Sequence, residues 1–366
     1  MIEFESSPQA LNKIADKLSL PQIKVMGLGG GGCRIISRLK SIERRYIRFV
    51  GLDTSKKELE NCEIEEKLLL GDSLTRGWGT GGDSQIGKES AMEGEDRIRE
   101  LLRDVDLLFL VCGLGKGMGA GASPVVAQIA KELNCLIIGF FVLPFYFEGK
   151  RRTAQAKKTL EKLRELVDGL MVINNDSLLK LDNSQDPLFL KKGFERVDEV
   201  LEVSLKTMEY LLFTPGLINV DFADVKNVLS KKSEVRITMG KGKGEKAGKE
   251  AIKQALSSPL WGKISLRKVS SILLGVRGGK KFSLTQLEKI ALAMQENTED
   301  ATEVTMGVGI DDELSNEIIL TLIVSGIKME EKEKIKKEKL YQENLDLGVH
   351  GEDNLDIPTF LRRGNN

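Results

Sequence analysis

Ile23-Lys24-Val25-Met26-Gly27-Leu28-Gly29-Gly30-Gly31-Gly32-Cys33-Arg34 decides how the rest of the chain is read. An aliphatic run enters a glycine cluster, and amphipathic sequence follows, so the stretch reads as a buried strand, a close turn and a helix starting near Cys33. Glycines let a backbone approach a ligand closely, and the helix N-terminus beyond offers unpaired amides and a positive dipole end to phosphate. Gly27, Gly29 and Gly32 satisfy G-x-G-x-x-G, and Asp53 ends the next apolar run. That is the dinucleotide fingerprint. On this turn alone NAD or FAD, a mononucleotide and a tight structural turn all stay open.

Working outward, residues 23–27, 49–52, 107–112, 136–143 and 170–174 read as buried strands. Amphipathic stretches at 33–45, 89–103, 124–133 and 152–167 lie between several of them. This alternation predicts an α/β, Rossmann-like parallel sheet covered on both faces, with ligands at the carboxyl ends of its strands. A helical pattern then runs over 186–213, with Phe194, Val197, Leu201, Leu205 and Leu212 at helical spacing, and stops at Thr214-Pro215-Gly216. Its length suggests a helix joining two domains. Beyond it, strands are predicted at 235–238, 269–276, 305–310 and 318–324 and helices at 246–256 and 284–296. These form a smaller α+β domain on a mostly antiparallel sheet. The organisation reads as an N-terminal extension (1–20), a nucleotide domain (21–185), a central helix (186–216), a C-terminal α+β domain (217–328), a charged disordered linker (329–353) and a terminal docking peptide (354–366).

A second glycine turn weighs on the choice of ligand. The strand at 107–112 runs into Gly113-Leu114-Gly115-Lys116-Gly117-Met118-Gly119-Ala120-Gly121-Ala122-Ser123-Pro124, and Pro124 suits the first turn of a helix. Two glycine-rich turns on one sheet suggest two sets of amides converging on a polyphosphate, which an ordinary dinucleotide fold does not need. A Walker-like stretch from Gly82 to Glu89 fails, because Glu89 stands at the Ser/Thr position and no apolar strand precedes it. The neighbouring residues 77–82 read as a mobile loop able to close over a terminal phosphate.

Composition narrows the chemistry further. Lys and Arg total 55 against 55 Asp and Glu, so the bulk charge points to neither nucleic acid nor a polybasic membrane surface. The single histidine, His350, sits in a polar stretch near the C-terminus, which argues against a Ser-His-Asp relay or a His-ligated zinc. Cys33, Cys62, Cys112 and Cys135 form no C-x-x-C pair and read as reduced core residues. The longest apolar run is shorter than the ~20 residues of a membrane span. No signal pattern opens the chain, so a cytoplasmic protein without direct membrane insertion is expected.

From about Ile23 to Arg363 the chain resembles the FtsZ/tubulin family. The most specific stretches are Pro215-Gly216-Leu217-Ile218-Asn219-Val220-Asp221-Phe222-Ala223-Asp224-Val225, Pro144-Phe145-Tyr146-Phe147-Glu148-Gly149, Ala122-Ser123-Pro124 and Asp356-Ile357-Pro358. The resemblance implies GTP/GDP bound between protomers, head-to-tail filaments, GTP hydrolysis activated by polymerisation, and a cell-division ring at the inner face of the membrane. By the same resemblance Gly30, Gly31, Gly32, Cys33 and Arg34 form the first nucleotide loop, and Gly117, Met118 and Gly119 lie in the signature loop. Glu148 would accept from the ribose and Arg152 reach ribose or phosphate. Asn175 and Asp198 would read guanine, with Phe194 against the base. A carboxylate can accept from guanine N1–H and N2–H₂ together, which adenine cannot supply. Asn219, Asp221 and Asp224 would complete the site of the next subunit as the catalytic group, and no metal-ligating set is assigned. The residues' own alternative for that group is an Asp-rich turn capping a helix near Phe222.

The chain departs from the family pattern at Lys116, Met118 and Ala120, at Cys33-Arg34, and at Asp53. Hydroxyl donors are lost and cations gained, so Lys116 or Arg34 is expected to add charge at the phosphates and reduce the requirement for Mg²⁺. Two alternatives remain: a filament protein that binds GTP with little turnover, and an NAD(P)-dependent oxidoreductase using the first turn and Asp53. Residues 356–363, with Ile357, Phe360 and Leu361, resemble a docking segment for a membrane adaptor or other division proteins.

Overall fold

Apolar runs long enough to be buried on both faces become the middle of a seven-stranded, wholly parallel sheet. Its strands are β1 (Ile23–Leu28), β2 (Ile47–Asp53), β3 (Glu66–Leu69), β4 (Leu107–Gly113), β5 (Leu136–Leu143), β6 (Gly169–Asn174) and β7 (Ser233–Glu234). They lie in the order β3-β2-β1-β4-β5-β6-β7. The computed structural model describes residues 20–39, 42, 46–179, 189–230, 233–258, 262–263, 265–299 and 301–327. The extension before residue 20, the linker at 329–353, the docking peptide at 354–366 and His350 lie outside the described residues.

The helices of this half are α1 (Gly29–Arg38), α2 (Lys56–Glu60), α3 (Asp72–Thr75), α4 (Ser84–Glu93), α5 (Glu95–Leu102), α6 (Gly117–Glu132), α7 (Lys150–Leu166) and α8 (Asp176–Leu179). Residues of α5, α6 and α7 pack with Met26, Leu110 and Ile137 on one face of the sheet. On the other, Ile35 and Ile36 of α1 join the buried stripe Val197, Leu201, Leu205 and Met208 of α9 (Leu190–Phe213). The same cluster takes in Leu273 and Ile323 from a second sheet, so α9 is shared by both sheets. Next comes α10 (Phe222–Leu229).

The second sheet contains β8 (Arg236–Lys243), β11 (Ser271–Gly278), β12 (Glu303–Ile310) and β13 (Glu317–Ser325) in the order β12-β11-β13-β8. Between β8 and β11 run α11 (Ala247–Ala255) and a short pair, β9 (Ser257–Ser258) with β10 (Gly262–Lys263). Helix α12 (Leu284–Gln295) follows β11. Two of the three pairings in the four-stranded sheet are antiparallel, and β11 with β12 is parallel. Gly240 and Gly242 let α11 rest on β8: a Cβ at either would lie 1.9 Å from a helix carbonyl oxygen.

Several helix boundaries differ from the sequence expectation. Helix α1 begins at Gly29 rather than near Cys33 and ends at Arg38. The stretch 89–103 is two helices parted at Gly94, where a Cβ would sit 2.2 Å from Leu70 Cδ2. Helix α6 starts at Gly117, so Pro124 lies inside it rather than in its first turn. Proline has no N–H for the carbonyl four residues back. That carbonyl, Ala120 O, accepts instead from the buried Thr159 hydroxyl of α7 at 3.4 Å.

Candidate functional site

The strand order reverses between β1 and β4, the place where parallel sheets of this kind bind ligands. Both glycine turns leave the sheet there, one from each of those adjacent strands. They touch: a Cβ on Gly29 would lie 3.2 Å from Met118 Cβ, and one on Gly31 would lie 3.5 Å from Gly113 N. The N-termini of α1 and α6 therefore start side by side. Two sets of unpaired helix amides converge, a setting suited to an anion carrying more than one phosphate.

Not every glycine in the turns faces that space. Cβ atoms on Gly32, Gly119 and Gly121 would lie 2.3, 2.1 and 2.1 Å from the carbonyl oxygens of Val111, Gly113 and Ser84. A Cβ on Gly117 would lie 2.0 Å from Thr80 Oγ1, and one on Gly87 would lie 2.4 Å from Gly117 O. These glycines let backbones pack, chiefly α4 on α6. Gly113 differs, because a Cβ there meets nothing within 4 Å. Open room beside the converging amides is what a ligand needs.

Cys33 and Met118 are buried, so neither presents its side chain at the surface. Cys33 Sγ donates to Gly27 O at 3.5 Å and neighbours Cys62 behind Gly51. Arg34 does not stand free: both Glu58 oxygens accept from its Nη2 at 2.7 Å. The Glu58 carboxylate reaches over Gly30, where a Cβ would be 2.5 Å from Oε2. Lys116 is exposed and occupies the N-cap of α6. Asp53, the acid of the dinucleotide reading, is 4% exposed, and its Oδ1 accepts from Thr54 N at 2.7 Å and Ser55 N at 3.2 Å. Its carboxylate closes its own turn.

Beyond the end of β5, Glu148 meets Arg152 of α7, with Nη1 2.9 Å from Oε2, while Glu148 Oε1 accepts from Phe145 N at 3.0 Å. Gly115, at φ +94°, runs under them, since a Cβ there would be 2.8 Å from Arg152 O. Phe194 meets Phe145 edge-on at 6.3 Å between ring centres. One turn on in α9, the buried Asp198 accepts from Arg38 Nε at Oδ2, and from Nη2 at Oδ1 at 2.8 Å. Burial pushes the Asp198 carboxyl above the usual range, the Arg38 fork pulls it back, and Glu195 and Glu199 push it up again. Asn175, after β6, has a buried Oδ1 without a hydrogen-bond partner. A buried orphan acceptor is costly unless something donates to it.

Asn219, Asp221 and Asp224 lie beyond the other end of α9. From Asp198 to Phe213 the helix rises about 22 Å at 1.5 Å per residue, so these residues and Asp198 cannot serve one small ligand within one chain. Asp221 Oδ1 accepts from Asp224 N at 2.8 Å, and Asp224 Oδ2 from Asp221 N at 3.1 Å. This capping box starts α10 at Phe222. Asn219 Oδ1 accepts from Gly216 N at 2.7 Å. Leu217 is 74% exposed on the same segment, which ties to the second sheet through the Ile218–Val308 bridge.

Arg38 and Glu58 were not singled out from the sequence. The signal for Arg38 is a cation ending a helix that starts at a glycine turn, but its partner is 160 residues away. For Glu58 the one cue is its place in the first turn of α2, after the Ser55 cap.

Residues 22–183 match the family model described as the tubulin/FtsZ family GTPase domain, and residues 234–328 match the FtsZ family C-terminal domain. Among solved structures, an FtsZ dimer from M. jannaschii is similar at 34% identity and TM-score 0.74, over 87% of this chain and 92% of that one. CetZ2 from Haloferax volcanii, in a GTPγS-bound protofilament, has 18% identity and TM-score 0.71 over 89% and 98%. The latter likeness shows the fold alone.

Proposed function

The chain belongs to the tubulin/FtsZ family, and on that premise we propose that it binds and hydrolyses GTP as a cytoskeletal protein that polymerises head to tail. The amides of Gly30, Gly31, Gly32, Cys33, Gly117, Met118 and Gly119 would hold the phosphates, and Glu148 and Arg152 the ribose. Asp198 and Asn175 would read guanine beside Phe194. Helix α1 supports this as a ruler: Gly30 to Arg38 spans about 12 Å, the scale of an extended nucleoside diphosphate. Among the described residues no group of three or more His, Cys, Asp or Glu is placed to hold a metal. Mg²⁺, where it takes part, is proposed to bind with the phosphates, keeping most of its waters. The proposed organisation keeps 21–185 as nucleotide domain, 186–216 as connecting helix and 217–328 as activating domain.

The observation that carries the reading is the length of α9 between Asp198 and the Asn219–Asp224 segment. Neither end is a whole hydrolytic site, and a second copy stacked head to tail brings the two together. Asn219, Asp221 and Asp224 would then orient water at the γ-phosphate, with their mutual hydrogen bonds holding them in one geometry. Service in a division ring, and an adaptor bound at 356–363, extend the proposal on the sequence resemblance. Among the described residues no helix is long and apolar enough to cross a membrane.

Light scattering and phosphate release over a dilution series test this. Turnover per chain should rise with protein concentration and vanish on dilution. Asp224→Ala should keep GTP binding while phosphate release falls at least tenfold; normal release from that variant, or full turnover by dilute monomers, refutes the shared site. Assembly without phosphate release in the unmodified protein would favour the low-turnover reading, whose support is that Asp221 and Asp224 are already engaged as caps.

A further inference from the structure

The bidentate contact between Arg38 and Asp198 has a chemical peculiarity. A guanidinium edge offers two parallel N–H donors, from Nε and Nη2. The Watson–Crick edge of guanine offers the same pair, from N1 and N2. Asp198 is 6% exposed and both of its oxygens are engaged by Arg38, so it cannot present the same two acceptors to a second flat fork. We propose that Arg38 is a specificity-determining gate residue: it and guanine are alternative occupants of Asp198, and a guanine nucleotide binds by exchanging with the Arg38 fork. The inference rests on Asp198 as the guanine acceptor and adds what that acceptor holds otherwise.

Three further observations suit an exchange. Arg38 is the last residue of α1, so its side chain can swing without moving the helix that carries the phosphate turn. Its side chain is 41% exposed while that of Asp198 is 8% exposed, which makes Arg38 the outer, movable member. Glu195 and Glu199 flank Asp198 on α9 and add negative charge around it, so a guanidinium that leaves the carboxylate stays in an acidic field, although Glu199 itself accepts from Arg196 at 2.9 Å. A base that offers one donor beside an acceptor, as adenine does, cannot replace the fork, and Arg38 stays in place against it. The gate thus adds discrimination to affinity.

Occupancy by Arg38 reduces apparent affinity by the fraction of molecules in which Asp198 is open; a tenfold preference for the closed pair weakens binding about tenfold. Full-length protein carrying Arg38→Met should therefore bind GDP about tenfold more tightly by titration calorimetry, with ADP binding unchanged. Arg38→Lys, which keeps the charge but loses the fork, should fall between. Unchanged or weaker GDP binding in a folded Arg38→Met variant overturns the gate. Unmodified protein gives a check that needs no variant: phenylglyoxal modification of Arg38, mapped by mass spectrometry, should rise on saturation with GDP and not with ADP. An equal or lower yield with GDP overturns the exchange. Asp198→Ala separates this from the underlying reading. If that variant keeps the GDP-over-ADP preference of the unmodified protein, Asp198 is not the base reader and the proposal falls with that reading. If the preference collapses while Arg38→Met fails to tighten GDP, the reading stands and the gate alone is wrong.

Discussion

The two glycine turns look alike as sequence and differ as structure. In the first, the central glycines face outward: a Cβ on Gly31 would make ordinary contacts at 3.5 Å, and one on Gly30 would meet only the end of the flexible Glu58 side chain. In the second, the glycines at 117, 119 and 121 are pressed against Thr80, Gly113 and Ser84, and Gly113 alone borders open space. A glycine run read as a ligand cradle is therefore half cradle and half helix packing. What separates the two is the neighbour that a Cβ would meet, a long-range fact.

The widest test of that difference is Gly121→Ala. The new methyl would stand 2.1 Å from Ser84 O and 2.7 Å from Lys88 N, both backbone atoms of α4, so a helix rather than a side chain must move. Overpacking of this kind costs about 3 kcal/mol, and denaturant titration should show it with or without nucleotide. A loss below about 0.5 kcal/mol, the range of a neutral surface change, would mean that α4 and α6 are not held by this glycine.

Gly113→Ala should do the reverse. With nothing within 4 Å of the added methyl, folding stability should stay within about 0.5 kcal/mol. GDP binding should weaken on the order of tenfold, about 1.4 kcal/mol, because the methyl enters the space beside both sets of amides. Equal GDP affinity for Gly113→Ala and unmodified protein would show that the ligand does not use this space, and the contrast between the turns would lose its functional meaning.

The contrast also shows what the sequence could carry. Strands β1, β2, β4, β5 and β6 were legible because each is an apolar run buried on both faces. Strand β3, Glu66-Lys67-Leu68-Leu69, was not: it lies at the sheet edge, exposed or half-buried along its length. Glycine is a poor helix former, so the sequence puts the starts of α1 and α6 later than the structure does. At Gly117 packing overrides that preference, since a Cβ would lie 2.0 Å from Thr80 Oγ1 and 2.6 Å from Asp83 O, while at Gly29 the left-handed φ of +67° suits glycine at the turn into the helix. The candidate site was legible where motif residues cluster along the chain. Its ion pairs were not, since Arg34–Glu58, spanning 24 residues, and Arg38–Asp198, spanning 160, depend on which helices the sheet brings together.

Lys116 gives the smallest effect and the most particular one. It holds the N-cap of α6, is exposed and makes no capping bond. A cation there opposes the helix dipole, at a cost of about 0.3–1 kcal/mol. Removing it should relieve that cost, so Lys116→Ala should raise the melting temperature of the nucleotide-free protein slightly. The same cation lies at the turn where the phosphates are proposed to bind, and its loss should weaken GDP severalfold and flatten the salt dependence of binding. Stability and affinity should therefore move in opposite directions. If both are unchanged, Lys116 is a solvated surface charge, and the second turn serves the nucleotide through its backbone alone.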